Sequence, residues 1–219
     1  MVQKSKPVKH GSSSAATEDA IPSVRKASVV VMGCAAVDIT SQANVLIKSD
    51  QKSTYPGKVS VSLGGVARNI AEATHRVMSG STGNDAATLL VAPIGDDDFG
   101  KLIGAKTQSL GMRTDGLVSI QGRQSAVCNL LLDSRGELRC GVADMDLPHA
   151  WEADQVDMIS TEHSWFAAET SQILAILRDH CPQLLALDGN ISSDVLTATV
   201  TESLKMGIQS TLFSFRVPI

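Results

Sequence analysis

An α/β fold with a mostly parallel sheet flanked by helices is predicted by three features of the sequence. Short apolar runs rich in β-branched residues, Ser28 to Met32, Thr88 to Ala92 and Leu184 to Asp188, each stop abruptly. Helical apolar periods follow them, as they would in βα units. A block with a turn at its centre, Ser125 to Leu132 and Leu138 to Val142 around Asp133-Ser134-Arg135-Gly136-Glu137, interrupts the alternation and reads as a hairpin.

The elements can be justified in order. Order is expected to begin at Ala27, because residues 1–26 are rich in Ser, Lys, Pro and small residues with no apolar period and read as a disordered tail or linker. Ser28 to Met32 is a buried first strand ending at Gly33. Asp38 to Ser62 has no helical period, contains the Tyr55-Pro56-Gly57 turn and ends in the alternating KVSVSL, so short strands are expected there. Val66, Ile70, Ala73 and Val77 mark the apolar face of a helix that Ser79-Gly80-Ser81 ends. Phe99, Leu102, Ile103, Lys106 and Leu110 mark a second helix, with Gly111 suited to its stop. After the hairpin, HSWFAA is read as a strand, Ser171 to Cys181 as a helix, LLALD as a strand and Ser193 to Met206 as a helix.

Composition narrows the function. With 219 residues the chain can bury a sizeable core, and a formal net charge of −4 argues against nucleic acid as a partner. No apolar run approaches the roughly 18 to 20 residues of a membrane helix, and no signal-peptide core is present, so a cytoplasmic protein without a membrane partner is expected. The four cysteines, Cys34, Cys128, Cys140 and Cys181, lack metal-site spacing and read as reduced core or near-core residues. Neither GxGxxG after the first strand nor GxxxxGK[ST] occurs, which disfavours two nucleotide-binding classes.

Three places could carry chemistry. Gly64-Gly65 stands between an extended segment and a helix, where unpaired N–H groups and the absence of a side chain admit a polar ligand; Asn69, one turn in, offers a donor and an acceptor. The same residues also read as a tight turn and a solvated helix position. Asp38 stands past the first strand, where ligands of open α/β sheets collect, and it could accept from two vicinal hydroxyls or merely cap a turn. Asp96, Asp97 and Asp98 precede a helix, where capping outweighs a divalent-metal reading.

In order, VVVMGCAAVDIT, SLGGVARNIAEA, APIGDDDFGKLI and the hairpin ending in GVADMD resemble the N-terminal part of the PfkB, or ribokinase-like, carbohydrate kinases over about Ala27 through Gly207. GGVARNIAE together with VADMD looks most like the pseudouridine kinases, which use ATP to phosphorylate a nucleoside 5′-hydroxyl; ribokinase-like or adenosine kinase-like specificity is the alternative. The resemblance implies that Asp38 and Asn69 bind sugar hydroxyls, that Gly64 and Gly65 lie under the sugar, and that about 38–62 and 125–142 form a small β lid. It implies ATP and Mg2+ as cofactors, with Asn190 in LALDGNIS approaching the nucleotide phosphates and metal. A linker from an upstream pseudouridine-5′-phosphate glycosidase would suit the N-terminal segment.

The chain departs from that pattern in one respect. The family's Gly-Ala-Gly-Asp segment, which supplies an anion hole and the aspartate base, has no counterpart here, so no catalytic residue is assigned. After Met206, where the resemblance implies a further strand and the ATP-binding half, GIQSTLFSFRVPI ends the sequence. The expectation is therefore a substrate-binding half and lid, truncated at the C-terminus and with little activity alone. Alternatives are a non-catalytic nucleoside-binding isoform, able to form a homodimer or to pair with a full-length kinase through the lid, and an unstable fragment.

Overall fold

The computed structural model describes residues 26–47, 53–151 and 173–213. The expected HSWFAA strand and most of the N-terminal tail lie outside the described residues. In chain order the elements are β1 (Val29–Met32), β2 (Ala36–Ala43), β3 (Gly57–Gly64), α1 (Val66–Thr82), β4 (Thr88–Gly95), α2 (Asp98–Ser109) and β5 (Leu117–Ile120). There follow β6 (Ala126–Leu132), β7 (Leu138–Asp144), α3 (Asp146–Ala150), α4 (residues 173–180), β8 (Leu184–Asp188), α5 (Ser193–Lys205) and β9 (Gln209–Phe213).

Five strands form a sheet in the order β5-β4-β1-β8-β9, with every neighbouring pair parallel. Strand alternation sends side chains to two different cores. Val30, Met32, Leu89, Val91, Leu185 and Leu187 join Leu147 of α3, Ile173 and Leu177 of α4 and Val195 of α5 on one face. Val31, Leu90, Ala92 and Ala186 meet Ala67 and Ala71 of α1 and Ile103 of α2 on the other. Both faces are covered, which explains why these strands read as continuous apolar runs.

The remaining four strands make a separate sheet, β3-β2-β6-β7. β2 runs antiparallel to β3 and parallel to β6, and β6 runs antiparallel to β7. The two expected lid segments thus form one sheet. Its tip is tied by Asp133, a buried side chain whose Oδ1 accepts the Arg135 and Glu137 N–H groups at 2.8 and 3.1 Å.

Several details correct the sequence reading. α1 passes through Ser79-Gly80-Ser81 and stops at Gly83, whose φ of 66° is left-handed. Its buried stripe is Ala67, Ala71 and His75; Ala73 and Val77 of the expected face are exposed. The reason is packing distance, since two alanines let the helix axis approach the sheet more closely than valine would. β5 and α3 were not expected, because neither is long enough to show a period. β9 forms from QSTLF, and as the edge of the sheet all five of its residues are exposed. Among the described residues no helix is long and apolar enough to cross a membrane.

His180, buried at the end of α4, accepts the Ala27 N–H on Nδ1 at 3.1 Å, which only a neutral ring can do. Burial, joined by the Arg113 charge, lowers its proton affinity below the ordinary value of 6.5; Asp115 and Asp179 act in the opposite direction, and Lys26 adds to the lowering. The unfolded chain therefore binds this proton more tightly, so the stabilisation is complete above the ordinary imidazole value and is lost as pH falls through the depressed one. Urea denaturation across about pH 8 to 5 is expected to show that loss. His180→Asn, which retains an acceptor but does not titrate, should flatten the profile.

Candidate functional site

Asp38 is neither a cap nor a turn residue. It lies in β2, in the four-stranded sheet rather than in a loop after β1, paired with Ser62 of β3 and Cys128 of β6. Its carboxylate leans back over Gly64: a Cβ built there would sit 2.3 Å from both Oδ1 and Oδ2. Gly64 is glycine because the carboxylate occupies the space of its side chain. Among the described residues no group donates a hydrogen bond to that carboxylate. Burial raises its proton affinity above the ordinary range, with the nearby Arg68 charge opposing. A half-buried acceptor without a donor is what a hydroxyl-bearing ligand would complete.

Gly65 has a different role. Its φ is 95°, and a Cβ would meet the Cys34 carbonyl oxygen at 2.3 Å, so it makes the tight turn into α1. The two adjacent glycines thus divide the two readings between them.

Three of the N–H groups at the start of α1, those of Ala67, Arg68 and Asn69, are engaged within the protein. Asp188, fully buried at the end of β8, accepts the Ala67 N–H on Oδ2 at 3.3 Å and the Cys34 N–H on the same oxygen at 3.1 Å. The Arg68 N–H donates to the Cys34 carbonyl at 3.2 Å, and the Asn69 N–H to the Gly65 carbonyl at 3.0 Å. These three N–H groups are therefore not free for a ligand. Asp188 Oδ1 also accepts from the Asn190 backbone N–H at 2.9 Å and from its Nδ2 at 2.7 Å. Asn190 is thereby fixed next to the start of α1, its side-chain nitrogen engaged in structure.

Asn69 is exposed in the first turn of α1, and its Oδ1 accepts from Arg68 Nη1 at 3.0 Å. Arg68 is 92% buried, pairs with Glu72, and leaves Nε without a partner among the described residues. A hydrogen bond from Arg76 draws the Glu72 carboxyl below its ordinary range, with burial opposing and the Arg68 charge assisting.

Sequence reasoning missed Arg68, Asp188 and the rest of the lid face. Ser62, Asp38, Cys128 and Ala143 align across β3, β2, β6 and β7, so their side chains leave the sheet on one face. The next row holds Ser60, Thr40, Leu130 and Gly141. Half of this face is hydroxyl-rich and half apolar. Cys128 shares the corner: burial raises its thiol's proton affinity, and the Asp38 charge adds to it. Only Cys34 among the cysteines is a core residue, its thiol pushed up to about 12 by burial and then by Asp188 and Asp38; Cys140 and Cys181 are exposed, against expectation.

The acidic cluster is structural. Asp97 caps α2, accepting from the Gly100 N–H at 2.8 Å and the Ser125 hydroxyl at 2.6 Å. Burial pulls its proton affinity upward, but those bonds outweigh it and leave the carboxyl below its ordinary range. Asp96 takes the Gly122 N–H at 3.1 Å, and Asp98 pairs with Lys101. Three separate assignments leave no shared metal position, and among the described residues no three His, Cys, Asp or Glu side chains group to hold an ion.

Comparison with known proteins matches this architecture. The profile of the pfkB family carbohydrate kinases covers residues 26–186, so the chain belongs to that family. It is 27% identical over 147 residues to the pseudouridine kinase of Escherichia coli, covering 67% of this chain and 43% of that protein. An uncharacterized sugar kinase of Escherichia coli is 34% identical over 97 residues, covering 44% of this chain and 24% of that protein. The structure of Arabidopsis thaliana ribokinase complexed with ribose and ATP superimposes with a TM-score of 0.65 at 21% identity, covering 86% of this chain and 53% of that one. The fold is thus ribokinase-like, and the chain spans about half or less of the length of these proteins.

Three substitutions separate scaffold from site. Asp188→Asn turns one acceptor oxygen into a donor facing N–H groups, and chemical denaturation is expected to show a loss of about 3 kcal/mol. Gly65→Ala, forced into a left-handed conformation against a carbonyl, should cost about 1 to 3 kcal/mol. Gly64→Ala must instead displace the Asp38 carboxylate, so its main effect is expected in ligand affinity rather than in the melt.

Proposed function

We propose that these residues form the acceptor-binding part of a carbohydrate kinase whose substrate is a nucleoside, with pseudouridine the first candidate. The observation that carries this reading is the Asp38 carboxylate, held without a hydrogen-bond donor over Gly64, which leads into the helix that carries Asn69. Ionised Asp38 accepts from sugar hydroxyls, while the apolar half of the lid face, Cys128, Leu130 and Ala143, receives a flat ring. The 27% identity to a pseudouridine kinase supports the choice of ligand. Adenosine and ribose are the competing ligands.

Phosphoryl transfer further requires ATP, a cation and a group to orient the attacking hydroxyl. Asn190, at the C-terminal end of β8, is the one residue here proposed to face the nucleotide. No Gly-Ala-Gly-Asp segment is present in the sequence. The 219-residue chain is thus proposed to bind acceptor with little turnover of its own.

A second reading rests on the other face of the lid. Val59, Val61 and Val142 share that face at 71, 45 and 75% exposure, an apolar surface suited to another lid. Analytical ultracentrifugation would then show self-association that Val59→Lys abolishes.

Isothermal titration of pseudouridine, adenosine and ribose tests the main reading. Pseudouridine is expected to bind most tightly and Asp38→Asn to weaken it at least about tenfold, as for a lost charge-assisted hydrogen bond. Because the Asp38 proton affinity is raised, binding should fade as pH drops while still above the ordinary carboxylate range. Equal affinity in Asp38→Asn would contradict the proposal.

A further inference from the structure

The Arg68 side chain is buried in the first turn of a helix, a place where a long cation has no obvious structural use. Its Nη2 is held by Glu72, one turn onward, and its Nη1 donates to Asn69 Oδ1 at 3.0 Å. Arginine has only donors, so the atom of the Asn69 amide that faces it must be the oxygen. The amide is therefore fixed in one of its two orientations, with Nδ2 and its two hydrogens turned away from Arg68.

We infer that Arg68 is a positioning residue that sets the polarity of the ligand site, presenting Asn69 as a donor to a ligand for which Asp38 is an acceptor. The inference rests on the proposed reading of Asp38 and Asn69 as ligand contacts and adds to it the pattern of hydrogen bonds that a ligand must satisfy. The hydroxyls of a sugar satisfy both residues, one donating its hydrogen to Asp38 and one accepting from Asn69 Nδ2. A carbonyl or ether oxygen can accept from Asn69 but gives Asp38 nothing, and an ammonium can donate to Asp38 but cannot accept. The corner therefore selects alcohols over ketones and amines of the same shape. Glu72 neutralises the guanidinium, so the selection does not become a general preference for anions.

Calorimetric titration of pseudouridine into five variants, each checked by thermal melting, tests this. Asn69→Asp keeps the shape and strengthens the contact to Arg68 but removes the donors; it is expected to bind about tenfold or more weakly. Asn69→Ala and Arg68→Met should each lose about tenfold, and the double variant Arg68→Met/Asn69→Ala no more than Asn69→Ala alone, because Arg68 acts through Asn69. Glu72→Gln keeps a side-chain oxygen for Arg68 Nη2 and should weaken binding less than Arg68→Met does. Parent-like affinity in Asn69→Asp, or losses that multiply in the double variant, would overturn the inference while leaving the proposed function standing. If Asp38→Asn and Asn69→Ala both bind like the parent, or the parent binds no pseudouridine, adenosine or ribose, the proposed function falls and the inference with it.

Discussion

A buried carboxylate holds the site corner together. Asp188 ends β8 with no solvent exposure and takes hydrogen bonds from Cys34, Ala67 and, twice, Asn190. Those donors belong to the loop after β1, the first turn of α1 and the turn after β8. Burying a charge without such partners would be severely unfavourable, so the carboxylate requires the three segments to meet there. Gly33 must be glycine for the same reason: a Cβ at this residue would lie 2.2 Å from that of Asp188.

With the Ala67, Arg68 and Asn69 N–H groups spent in this way, side chains carry much of the polarity the corner has left to offer. Asp38 enters from a different sheet, and Gly64 leaves it room. Both oxygens of Asp188 are hydrogen-bonded, and the Asp38 acceptor is not. That contrast separates residues that hold the corner from residues available to a ligand, and the raised proton affinity of Asp38 is its electrostatic counterpart.

Much of the main sheet was legible because its strands are buried on both faces and its helices have clear stops. Asp97 at the start of α2 and Gly111 after its end are where capping chemistry places them. The apolar face of α1 was misread because alanines carry little weight in a hydrophobic period, although Ala67 and Ala71 make the closest packing. Asp38 was identifiable only through its neighbours in order, since a lone aspartate in a strand has no local signature. Asp188 was missed for the opposite reason: it closes the apolar run LLALD and reads as a strand end. An acidic residue at the end of an otherwise buried strand was the available signal. Arg68 gave none, because what distinguishes it is burial, and burial of a charged helix residue is a tertiary fact.

The central claim is that the lid sheet and the first turn of α1 close on one ligand. Amide hydrogen exchange read by mass spectrometry, with and without saturating pseudouridine, tests it most directly. The account predicts slowed exchange in β2, β3, β6 and the start of α1 together, with β4, β5 and β9 unchanged and the whole effect lost in Asp38→Asn. Protection confined to the main sheet, or protection of the lid that persists in Asp38→Asn, would contradict it.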